Sequence, residues 1–162
     1  MRRTALKTLM TMCLVVLAGC GFQLRGQAVL PFDKAYVDAS PSSILGGMLK
    51  KQLEQRSKLV NMRNQANVVV KLTGETRDKS ILTLSSAGKV QEYRLVHKVA
   101  VSVTDPEDKV ILPQVTLQQT RDFSYNSQEV LATDAFEASL HHDMDEQILQ
   151  QIMRRLAFVH KP

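Results

Sequence analysis

The chain has 162 residues, 44% of them hydrophobic and 23% charged, which suits one folded domain and excludes a disordered chain. Aromatic residues make up 5% and tryptophan is absent, which disfavours an aromatic-lined surface for carbohydrate or single-stranded nucleic acid. The formal net charge is +5, and its meaning depends on where the basic residues sit.

The first of them sit in a targeting segment. Arg2, Arg3 and Lys7 form a positive stretch without an acid, and Leu9–Leu17 is an apolar run broken only by Thr11. That run has the length of a signal-peptide core and is too short to span a bilayer as a helix. Leu17-Ala18-Gly19-Cys20 follows, and the four residues resemble the lipobox of bacterial lipoproteins. By that resemblance, residues 1–19 are removed as a lipoprotein signal peptide. Cys20 then carries a diacylglyceryl group and an N-acyl chain, and residues 20–162 form a single mature domain.

Charge and cysteine content then change meaning. The removed segment holds three of the 21 Lys/Arg and none of the 16 Asp/Glu, so the mature chain has 18 against 16, a net +2. The charge case for nucleic acid goes with the segment. Cys13 is lost as well and lipidation consumes the thiol of Cys20, so no disulfide is expected. Each buried acyl methylene contributes about 0.8 kcal/mol, and two or more chains anchor stably. No later apolar run is long enough to span as a helix. Among lipoproteins, Asp after the acylated Cys favours inner-membrane retention. Gly21 stands there here, so the resemblance implies the outer membrane, periplasmic side.

Beyond a short tether, Gly21–Gly26, the residues 34–39 alternate as a short strand. Ser40-Pro41-Ser42 is helix-start chemistry. Leu45, Met48, Leu49, Gln52, Leu53 and Arg56 then share one helical face. Gly46-Gly47 lacks the surroundings of a phosphate loop and reads as close packing. From Asn67 to Tyr125 the period is two. Val68, Val70 and Leu72 alternate with Val69, Lys71 and Thr73, and Gly74 marks a candidate bulge. Ile81, Leu82 and Leu84 continue the extended run to a turn at 86–89.

The return strand carries Tyr93, Leu95, His97, Val99, Val101 and Val103 on one face. A turn at 105–109 leads to a third long strand, from about Val110 to Tyr125, with Val115, Leu117, Phe123 and Tyr125 in phase. Gln119 and Arg121 interrupt that face. Asp134 and Glu137 have the spacing of a capped helix start. Phe136, Leu140, Met144, Ile148, Ile152 and Leu156 recur every four residues beyond it, and basic residues crowd the last turns. The expected fold is α+β: two helices packed on one face of a mostly antiparallel four-stranded sheet, in the order β-α-β-β-β-α.

Catalytic patterns are missing. There is no Gly-x-Ser-x-Gly, no Cys–His pair after processing and no phosphate-binding glycine motif, so the chain does not read as an enzyme. His141 and His142 stand four residues before Asp145 and Glu146, a spacing that can hold a metal. Adjacent helical histidines diverge, however, so no metal site is read. His97, on an apolar strand face, reads as a satisfied core or rim histidine rather than a catalytic one. Arg77, Lys79, Lys89, Arg94 and Lys98 lie on the first long hairpin. Singly they solubilise a sheet; together they suit phosphate.

Leu17-Ala18-Gly19-Cys20-Gly21-Phe22-Gln23-Leu24-Arg25-Gly26 resembles the start of the LPS-assembly lipoprotein LptE family, whose mature chains open with Cys-Gly-aromatic-x-Leu-Arg. The helix carrying Leu49-x-x-Gln52-Leu53, Glu92-Tyr93 opening a long strand and the terminal amphipathic helix agree in order. The resemblance implies an outer-membrane lipoprotein that complexes with the β-barrel LptD, plugs it and helps assemble it. It also implies binding of lipopolysaccharide for delivery to the outer leaflet, with no cofactor beyond the acyl chains on Cys20. The family's glycolipid-contacting cations fall at Ser86 and Thr133 here, and Lys89 is the nearest basic substitute. The candidate lipopolysaccharide contacts are therefore Lys89, Arg94, Arg77 and Lys79. The alternative is an outer-membrane lipoprotein that pilots another secretion barrel without binding glycolipid.

Overall fold

A computed structural model describes residues 29–126 and 130–159. Four strands and two α-helices follow in order among the described residues: β1 (Ala35–Asp38), α1 (Ile44–Glu54), β2 (Val68–Leu84), β3 (Val90–Thr104), β4 (Val110–Ser124) and α2 (Val130–Leu156), with a short 3-10 turn, Arg63–Gln65, before β2. The order β-α-β-β-β-α is the expected one. The sheet runs β1-β2-β3-β4. The two hairpins make β2, β3 and β4 antiparallel, whereas α1 carries the chain back so that β1 lies parallel to β2. The sheet is thus mixed, with a single parallel pair.

α1 starts at an N-cap, Ser43, whose Oγ accepts from the Gly46 amide at 2.8 Å. The cap lies one residue beyond Ser40-Pro41-Ser42. Gly46 is required by space, since a Cβ there would stand 2.7 Å from the Ala39 Cβ. Gly47 is different: a Cβ there would meet nothing within 4 Å, so close packing explains only the first glycine of the pair.

β2 holds the feature that places the charged residues. Val68, Val70 and Leu72 point inward. Gly74, at φ +61°, and Glu75 then stand where the register leaves Val99 as their one opposite residue, between the pairs Thr73–Ala100 and Thr76–Lys98. The extra residue inverts the pleat. Beyond it the odd-numbered residues Glu75, Arg77 and Lys79 face the helices, with Arg77 opposite His97 and Lys79 opposite Leu95.

The helices cover that same face. Leu45, Leu49 and Leu53 of α1 and Ile148, Ile152 and Leu156 of α2 meet Val68, Val70, Val99, Val101 and Val103 of the sheet in the main core. Burying each such Leu or Ile stabilises by about 1.5–3 kcal/mol. Leu95, Phe123 and Met144 form a second, smaller cluster, with Tyr93 and Leu140 against it. The terminal helix begins at Val130, about a turn before Asp134. Asp134 and Glu137 are therefore inside the helix, and the Glu137 carboxylate takes a bond from Lys79 instead of capping. Phe136, expected in the buried stripe, is 52% exposed, because the helix there overlies the outer part of the sheet.

Candidate lipopolysaccharide-facing hairpin

β2 and β3 extend as a hairpin beyond the main core. Seventeen residues of β2 span on the order of 50 Å. The hairpin closes in a tight turn in which Ser85 N donates to Lys89 O at 2.7 Å and Gly88 N to Ser85 O at 2.9 Å. Gly88, at φ +73°, supplies the left-handed position that the turn needs.

The four candidate cations are not one group. Arg77 pairs with Asp145 of α2, its side chain 29% exposed and that of Asp145 only 6%. Lys79 donates to Glu137 Oε2 at 2.5 Å and lies 4.3 Å from the centre of the Tyr93 ring. Both are under α2 and engaged. Arg94 is on the opposite face, where its Nε and a terminal nitrogen each donate to Asp122 at 2.8 Å. The two-pronged bond holds the Asp122 carboxyl below the usual carboxylate range and raises the Arg94 guanidinium further above its own. Lys98 lies 3.8 Å from Asp78 on that outer face. Lys89 is at the exposed tip, and among the described residues its ammonium meets no partner.

The two positions singled out by the resemblance fare differently too. Ser86 is exposed at the tip, whereas Thr133 is buried in the first turns of α2. Sequence reasoning missed the apolar part of this region. Ile81 is 56% and Leu84 55% exposed, and Leu82 is also open, so aliphatic side chains flank the turn that carries Lys89. The signal was present as three aliphatic residues within four positions of a strand whose preceding residues are charged or polar. A surface of this kind offers positive charge and apolar contact side by side.

His97 is fully buried, with Nδ1 2.7 Å from Asp145 Oδ1 and Nε2 3.6 Å from Glu75 Oε1. Neither approach is aligned as a hydrogen bond, and both ring nitrogens are buried. Glu75 in turn accepts from Ser43 Oγ at 2.5 Å and lies against the first amides of α1, where a carboxylate suits the helix dipole. His97 is thus in the core, as expected, but its ring nitrogens are not satisfied by hydrogen bonds. Ser43 meets a carboxylate and not the imidazole, so the set does not form a serine–histidine nucleophile pair. Among the described residues no group of three His, Cys, Asp or Glu could hold a metal. His141 and His142 each pair along the helix with a different glutamate, at 3.8 Å to Glu137 and 3.3 Å to Glu146.

The family described as LptE, lipopolysaccharide-assembly, matches residues 28–156, a stretch that contains both helices and all four strands. The chain belongs to the LptE family. The LPS-assembly lipoprotein LptE of Photorhabdus laumondii is 30% identical over 164 residues, covering 99% of this chain and 89% of that one. The Yersinia enterocolitica LptE is 28% identical, covering 99% and 79%. Among solved structures, lipoprotein B from Nitrosomonas europaea has a TM-score of 0.74 at 31% identity, covering 85% of this chain and 90% of that one. Rare lipoprotein B from Shewanella oneidensis has a TM-score of 0.65 at 21% identity, over 76% and 93%, and shares the fold. As an LptE-family chain, the protein is an envelope lipoprotein. Among its described residues no helix is long and apolar enough to cross a membrane.

Proposed function

We propose that this lipoprotein is anchored through lipid on Cys20 to the periplasmic side of the outer membrane, complexes with the β-barrel LptD, and helps deliver lipopolysaccharide to the outer leaflet. Within the complex it plugs the barrel and assists its assembly. The observation that carries this reading is the family match across the whole fold, residues 28–156. The relatives' names, LPS-assembly lipoprotein, support it. The hairpin tip supports it as well. Lipopolysaccharide joins phosphates to acyl chains, and the tip sets an unengaged ammonium, Lys89, near exposed Ile81 and Leu84.

The test begins with the full-length lipoprotein purified from membranes in mild detergent, its co-purifying barrel identified by mass spectrometry. LptD is expected. Recovery of a different secretion barrel in its place would overturn the assignment and favour a pilot role. Lipopolysaccharide binding across a salt series then examines the tip. Lys89→Glu should weaken binding several-fold and flatten its salt dependence, since one screened phosphate contact is lost. Unchanged affinity in a folded variant would move the glycolipid contact away from the tip.

A further inference from the structure

The apolar interior is cut in two by charge. The main core lies on one side, and the smaller cluster of Leu95, Phe123 and Met144 on the other. Between them runs the belt of Glu75, Arg77, His97 and Asp145, with polar contacts from β2 to β3 and from both strands to α2. α2 crosses the belt at Asp145, and its two halves are held in different ways. After Asp145, Ile148, Ile152 and Leu156 are fully buried in the main core. From Leu131 to Asp143, Thr133 alone is buried. Leu140 is half-buried, and Phe136 meets Phe123 edge-on, with ring centres 6.3 Å apart. This half is also tied to the sheet by the Lys79–Glu137 pair, whose ammonium lies over the Tyr93 and Phe123 rings.

We propose that residues 131–143 of α2 are a strap, latched by charge and opening from the outer sheet while the rest of the helix stays docked. At its C-terminal end the strap is held where Asp145 pairs with Arg77. Opening bares Tyr93, Leu95 and Phe123, which form an aromatic and aliphatic strip beside the hairpin. Segments with few buried apolar contacts open below the cost of global unfolding, and a partly exposed ion pair is a weak, salt-sensitive fastening. The C-terminal half lacks that sensitivity because burial of apolar side chains, not charge, fixes it.

Hydrogen exchange read by mass spectrometry on the full-length lipoprotein tests the strap. Peptides within 131–143 should exchange about tenfold or more faster than those within 148–156. Raising salt from about 0.05 to about 0.5 M shortens the screening length about threefold and should widen that gap. Lys79→Gln should speed exchange of the strap several-fold and leave 148–156 unchanged. Glu137→Gln, which removes the other partner, should reproduce the effect if Lys79→Gln compromises folding. Equal protection along the helix would overturn the proposal. So would a fast strap indifferent to salt and to both variants, or salt and variants that loosen both halves together.

Discussion

Arg94 shows how a residue's surroundings decide its role. As a sequence position it is one more cation on a hairpin. In the fold it grips both oxygens of Asp122 across the β3–β4 ladder. Because the Asp122 carboxyl is held below its usual range by that bond, its contribution to stability is present above the unfolded value of about 4 and is lost as pH falls through the folded one. Arg94→Gln should therefore raise the Asp122 titration midpoint toward the ordinary range and remove that acid-side loss. Carboxyl chemical shifts followed by NMR check it, and an unmoved midpoint would mean that the bond does not persist in solution. The pairing was illegible in the sequence for a physical reason. It depends on the register between strands, which the 105–109 turn and an irregularity between Val101 and Val103 set together. The glycine pair was half legible: close packing read from Gly46-Gly47 holds at Gly46, against Ala39, and not at Gly47.

At the scale of elements, strict periodicity was readable and interruptions of it were not. The alternation from Tyr93 to Val103 gave β3 with its buried face correctly assigned, and the four-residue repeat from Met144 to Leu156 gave the buried stripe of α2. The inversion at Gly74 was different. The sequence suggested a bulge but not that it would turn Arg77 and Lys79 under a helix, because a bulge's effect depends on the residue opposite. The start of α2 was misplaced because Asp134 and Glu137 have capping spacing but face solvent and Lys79, respectively. The stripe itself makes a sharp prediction. Ile148→Ala should cost about 2–5 kcal/mol and lower Tm on the order of 10 °C, whereas Gln150→Ala, on the exposed side, should move it little. Thermal melts of the two variants decide this, and similar shifts would mean that the helix is docked on another face.

At the scale of the whole molecule, the proposed anchor and the fold are separate devices. Cys20 lies outside the described residues, and its role rests on the residues around it. Cys20→Ala should abolish incorporation of a palmitate analogue and leave an unprocessed or mislocalised precursor, because Cys13 lies inside the apolar run and not at the box junction. Metabolic labelling followed by fractionation reads both effects, and label retained on the variant would place the lipid elsewhere. The sheet adds a consequence of length. The chain enters at β1, beside the start of β2, while the turn at Gly88 lies at the far end of a strand on the order of 50 Å long. The hydrocarbon layer of a bilayer is about 30 Å thick. Standing along a membrane normal, a hairpin of that length would exceed the hydrocarbon layer by roughly 20 Å. Removing two residues from each of β2 and β3 would keep the pleat in phase and shorten the hairpin by about 7 Å.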